Sequence, residues 1–173
     1  MSVEPTHADL VALAARWLAG HERCSVVVTE MSSGEHETPD AIGWRGGNSI
    51  VVECKTSRPD FFADKKKAYR RTDRQMGVVR YYLTPKDMLQ LAEVTPGWGL
   101  LEACPRGCSL RVSAYPQPED KISRRAEIGL LLSCIRRIGQ SPALPPGVAV
   151  KCYTIGAETP RATLGILPGE GAQ

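Results

Sequence analysis

The chain has 173 residues, 42% of them apolar and 24% charged, with a net charge of +3. That length and balance suit one globular domain with a single substantial core. They exclude a charge-driven disordered chain and, since no apolar run approaches the roughly 18 residues a bilayer requires, a membrane-spanning protein. Residues 1–9 carry no secretory pattern, so a cytoplasmic location is the expectation. The cysteines at 24, 54, 104, 108, 134 and 152 lack the density of a disulfide scaffold and read as reduced. Net charge this small does not by itself indicate a nucleic-acid partner; local clustering has to do so.

Thr6 is placed to cap a helix, with Asp9 three residues on at its positive end, and Leu10, Leu13, Ala14, Trp17 and Leu18 supply one apolar face before Gly20 ends it. His7, Asp9 and Glu22 lie at the ends of this helix as candidate site residues or as caps and surface groups. Ser25 to Glu30, SVVVTE, predicts a buried strand at the centre of a sheet. Glu30 closes it, as a site carboxylate or a solvated strand end. A polar loop follows to Thr38, in which His36 faces either a pocket or solvent.

The most informative stretch is TPDAIGWRGGNSIVVECKTSRPDFFADKKK, residues 38–67. Gly46-Gly47-Asn48 predicts a hairpin turn, which brings Asp40 back toward the end of the following strand. There Glu53 and Lys55 share a face, about 7 Å apart at roughly 3.3 Å per residue. Two carboxylates beside one lysine suit magnesium-dependent phosphodiester hydrolysis. A hard divalent cation is usually held by one or two carboxylates plus waters and substrate phosphate, and a lysine orients the nucleophile and offsets charge on the phosphate.

Through Pro39-Asp40, Glu53-Cys54-Lys55 and the continuation Lys55-Thr56-Ser57-Arg58-Pro59-Asp60-Phe61 with Ala63-Asp64-Lys65, the sequence resembles the PD-(D/E)XK nuclease superfamily. It is most similar to the MmcB-like DNA repair and phage-encoded members, over roughly residues 7–115. The resemblance implies an α/β fold with a restriction-endonuclease-like core, a mixed four- to five-stranded sheet flanked by helices. It also implies a Mg²⁺-dependent (or Mn²⁺-dependent) DNA nuclease of repair or phage DNA processing. Asp40 and Glu53 would bind metal with help from the Cys54 carbonyl, Lys55 would orient or activate water, and Thr29-Glu30 resembles a Thr-Glu pair of that group, which makes Glu30 the acidic helper. Superfamily members exist without activity, so a non-catalytic nucleic-acid-binding module, or a phage-derived interaction or inhibitor protein, is the alternative. The oligomeric state stays open, a homodimer included.

After Lys55, Ser57 is placed to cap a helix with Pro59 in its first turn; Phe61 and Phe62 should anchor it, and Asp64 should buttress a lysine or arginine. Lys65, Lys66, Lys67, Arg70, Arg71 and Arg74 then crowd together around Tyr69, a candidate nucleic-acid-binding face with one stacking surface, or a solvated helix end. Val78 to Thr84 predicts a strand, Pro85 to Leu91 a short helix, and Gly99–Cys104 with Leu110–Ala114 a closing strand pair. Cys104 and Cys108 flank its turn, but no second Cys/His pair accompanies them as a zinc site would need. Glu119 to Ile138 predicts a helix with Ile122, Ala126, Leu130 and Ile135 inward and Arg124, Arg125, Arg136 and Arg137 outward. Residues 1–140 thus form the nuclease-like domain, and 141–173 a Pro/Gly-rich tail around one strand-like run, residues 148–155.

Overall fold

In the computed structural model, which describes residues 4–32, 37–65, 74–140 and 149–152, the described elements build one seven-stranded sheet with three α-helices on its faces. Helix α1 spans His7–Gly20, and strands β1 (Val26–Thr29), β2 (Ala41–Arg45) and β3 (Asn48–Cys54) follow. Helix α2 (Arg58–Lys65) crosses to β4 (Val79–Thr84), then come β5 (Gly99–Cys104), β6 (Gly107–Val112), α3 (Arg124–Gln140) and β7 (Ala149–Cys152). The strand order is β6-β5-β4-β3-β2-β1-β7, with β3-β4 and β4-β5 parallel and the remaining pairs antiparallel.

Alternation along the strands divides the core. Val27, Ala41, Ile50, Val52, Cys54, Tyr81, Leu83 and Leu101 face α1, whose Leu10, Ala14, Trp17 and Leu18 cover them. Val28, Ile42 and Val51 face the other way, with Met31 and Met76, onto Ala126, Leu130 and Cys134 of α3. On that same side Phe61 of α2 packs with Tyr82, Leu89, Trp98 and Leu100. Gly99 has to lack a side chain, because a Cβ there would sit 2.2 Å from the ring of Tyr81, its partner across the parallel ladder. The β2-β3 hairpin closes through Arg45 opposite Asn48, and Gly46 takes the positive φ of 59° that such a two-residue loop requires.

Several expectations are corrected. The sheet has seven strands among the described residues, where four or five are expected, because the β5-β6 hairpin extends it at one edge and β7 pairs beyond β1 at the other. Strand β1 therefore lies next to the edge strand, and β3 is the central one. Residues 85–90 do not form a helix: Asp87 adopts a φ of 57° while its N–H donates to Glu102, and a 3-10 turn follows at Leu91–Glu93. Strand β6 starts at Gly107 rather than Leu110, directly after Pro105-Arg106. Helix α3 begins only at Arg124, since Ile122 bridges to Gln75, and the Ser123 hydroxyl then accepts from the Ala126 N–H to start the helix. Phe62 and Ile135 point outward instead of anchoring their helices.

Candidate functional site

The carboxyl ends of parallel β3, β4 and β5 lie on one side of the sheet, which is where open α/β sheets usually present ligand-binding groups. Extending the β2-β3 register by one step sets Asp40 opposite Glu53. The contact is direct at the backbone, for the N–H of Cys54 donates to Asp40 Oδ2 at 2.7 Å. The Asp40 carbonyl in turn accepts from the N–H of Glu30 at 3.1 Å. Glu30 itself takes a φ of 49°, a left-handed conformation that a non-glycine residue adopts at a cost and that tends to occur at functional sites.

Helix α1 delivers a third group to this corner. The Thr6 hydroxyl accepts from the Asp9 N–H while the Asp9 carboxylate accepts from the Thr6 N–H, a capping box that fixes the first turn. His7 follows the cap, and its Nε2 lies 3.3 Å from Glu30 Oε1 and 3.6 Å from Asp40 Oδ1. Of the three helix-end candidates His7 is thus the one brought to the site; Asp9 serves the cap, and Glu22 lies beside His21 and Arg45.

Behind Asp40 runs a buried chain of alternating charge. Lys55 Nζ is 3.8 Å from Glu53 Oε2 and 3.3 Å from Asp64 Oδ1, so Asp64 of α2 buttresses Lys55 in the way its position suggests. Arg80 Nη2 is 3.5 Å from Glu53 Oε1 and 2.5 Å from Glu37 Oε1, and its guanidinium lies 4.4 Å from the centre of the Trp98 ring. Sequence reasoning misses Arg80 and Glu37. The available signal is the arginine inside VVRYYLT, since a cation in a buried strand has to find an anion.

The electrostatics follow from this crowding. Burial, together with the neighbouring charge of Glu53, pushes the Asp40 carboxyl up to about 6, against the opposing pull of the Cys54 N–H, Lys55 and His7. For Lys55 burial acts downward, but Glu53, Asp64, Asp40 and Asp60 together outweigh it and hold the ammonium above its ordinary value. Lys55 is therefore a cation at neutral pH, fitted to orient and stabilise rather than to abstract a proton. Burial, with the charges of Asp40 and Glu53, pushes the Cys54 thiol well up, so that it stays protonated.

Among the described residues no three His, Cys, Asp or Glu side chains form a ready-made metal cage. The donor set that Asp40 and Glu53 offer is two carboxylates, which fits a magnesium ion that keeps several waters and fits zinc poorly. Of the basic cluster, Arg74 is exposed. The side chain of Lys65, and all of Lys66, Lys67, Tyr69, Arg70 and Arg71, lie outside the described residues, as does His36. Among the described residues no helix is long and apolar enough to cross a membrane.

No protein-family model matches the chain. No curated protein matches it either. Among solved structures the fold is similar to that of the SPO1766 protein of unknown function from Silicibacter pomeroyi. That similarity has a TM-score of 0.57 and 21% sequence identity, and it covers 81% of this chain and 95% of that one. At this identity the likeness concerns the fold, an α/β arrangement with a mixed sheet between helices.

Proposed function

We propose that the protein is a Mg²⁺-dependent DNA nuclease of the PD-(D/E)XK type, with a restriction-endonuclease-like core and its site at the carboxyl end of β3. The observation that carries this reading is the hydrogen bond from the Cys54 N–H to Asp40, which brings the Pro39-Asp40 and Glu53-Cys54-Lys55 motifs together at one end of the sheet. Asp40 and Glu53 would hold the metal, with the Cys54 carbonyl as a third oxygen. A magnesium ion bound there would supply an acidified water and neutralise charge on the scissile phosphate. Lys55, kept protonated by its carboxylate neighbours, orients the attacking water and offsets phosphate charge. Glu30, held by Asp40 through the backbone and by His7 through the side chain, is the acidic helper. DNA backbone contacts are assigned to the segment from Lys65 to Arg74.

One observation favours the non-catalytic alternative, a nucleic-acid-binding module on this fold. Glu53 is almost fully buried between Arg80 and Lys55, so its charge is already offset without metal. Calorimetric titration with Mg²⁺, paired with cleavage assays on single-stranded, duplex, flapped and branched DNA, separates the two. The nuclease reading requires metal binding that Asp40→Ala removes, and metal-supported cleavage of at least one substrate. Binding of DNA with neither metal uptake nor cleavage would establish the module instead.

A further inference from the structure

Helix α3 has two apolar faces, and the sheet uses one. Ala126, Leu130 and Cys134 are buried against β1, β2 and β3. Ile128, Leu132 and Ile135, spaced four and three residues apart, are 56%, 59% and 66% exposed. At about 100° per residue these three form a ridge on the side of the helix turned away from the sheet. A helix that is apolar on opposite sides is normally covered on both.

The charges beside the ridge restrict what covers it. Arg125 and Arg136 are exposed and lie along one and the same edge, about 16 Å apart at 1.5 Å per residue. Neither has an ion pair among the described residues. Arg124, by contrast, is held by Glu119 and Glu127. A second copy packed antiparallel on the ridge would place four guanidinium groups along one edge, because a twofold axis in the interface maps that edge onto its own side. A parallel copy would set each basic edge against Arg124, Leu131 and Ile138 of its mate, where the exposed carboxylate, Glu119, is already taken by Arg124.

We propose that the outward face of α3 is a docking surface for an amphipathic helix of a different protein, one with apolar residues at i, i+4 and i+7 and carboxylates along one edge. The ridge supplies the anchors, and the arginine edge sets orientation and excludes basic partners. This surface is separate from the nuclease reading and stands or falls without it.

The test is fluorescence anisotropy with the full chain and two stapled helical peptides, both with Leu at i, i+4 and i+7, one edged with Glu and one with Lys. The Glu peptide should bind saturably and at least about tenfold more tightly than the Lys peptide. Leu132→Asp should weaken it at least about tenfold, as loss of a central anchor does. Its thermal unfolding should be unchanged, since Leu132 is mostly exposed. Arg125→Gln with Arg136→Gln should abolish the preference between the peptides. Equal affinities in the wild-type chain, or full binding by the Leu132→Asp variant, would overturn the proposal. So would a dimer in sedimentation that Leu132→Asp dissociates, which assigns the face to a second copy. Binding that appears only with Ile166→Ser and Leu167→Ser would assign the face to the chain's own C-terminal segment and overturn the proposal as well.

Discussion

Central strand β3 has buried carboxylates near both of its ends, and their surroundings differ in kind. Near its start Glu127 Oε1 accepts from the Ser49 hydroxyl at 2.6 Å and the Gly77 N–H at 2.8 Å, while Oε2 accepts from Arg124 at 3.2 Å. The Ser49 oxygen in turn accepts from the Val78 N–H at 3.1 Å. Donors meet that carboxylate on every side, and it ties α3, β3 and β4 together. At the other end Asp40 has one backbone donor and faces the charge of Glu53, and its carboxyl is pushed up to about 6. A carboxylate surrounded by donors holds a fold; one crowded against another holds its proton longer.

The largest expected effect breaks the second end. Asp40→Ala or Glu53→Gln should abolish Mg²⁺-supported cleavage while circular dichroism reports a folded protein. Lys55→Met should leave Mg²⁺ affinity nearly intact yet lower turnover on the order of 10²-fold, as removal of one transition-state donor does. Normal turnover in any of these variants would remove the catalytic assignment. Next in size, Glu127→Ala should leave the Ser49 hydroxyl and the Gly77 N–H without their acceptor, and Arg124 with Glu119 as its carboxylate partner, and cost about 2–5 kcal/mol in urea unfolding. A cost under about 1 kcal/mol would mean that the two ends do not differ as described.

The third prediction has the opposite sign. Because the folded carboxyl of Asp40 titrates near 6 against an ordinary 3.8, the native state binds the extra proton between those values. Stability then falls as pH rises through that window, by about 3 kcal/mol at most for a shift of this size. Asp40→Asn should therefore match the wild type near pH 4 and exceed it at pH 7.5, and Mg²⁺ should stabilise the wild type more at pH 7.5 than at pH 5. Equal stability of the two proteins across the range would show that Asp40 is not under strain. The smallest effect sharpens the comparison at its margin: Thr6→Ala should cost about 1 kcal/mol through the lost cap. It should also loosen His7 from Glu30 and Asp40, visible as a narrowed histidine ring shift difference in NMR.

The features legible in the sequence are those set by neighbours along the chain. The Thr6–Asp9 capping box, the Gly46-Gly47 hairpin, the shared side of Asp40 and Glu53, and Asp64 as the support of Lys55 all follow from short spacings. Arg80 and Glu37 escape because a strand is recognised by its apolar residues, and nothing local tells a buried arginine from an interruption. His7 reads as a helix end because its meeting with Glu30 and Asp40 depends on how α1 lies across β1 and β2. Ile135 is assigned to the wrong face because α3 has two apolar stripes, and periodicity alone does not say which one the sheet takes.

Strand β7 brings a consequence for biosynthesis. It covers the free edge of β1, with Thr29 opposite Ala149 and Val26 opposite Cys152, so 120 residues separate Thr29 from its partner. At roughly 5–20 residues per second on the ribosome, the outer hydrogen-bonding edge of β1 stays open for about 6–24 s after its own synthesis. During that interval Val26-Val27-Val28 is a β-branched template in a crowded cell, and a nascent chain that stalls before residue 149 carries an edge prone to pairing with its neighbours on the same polysome.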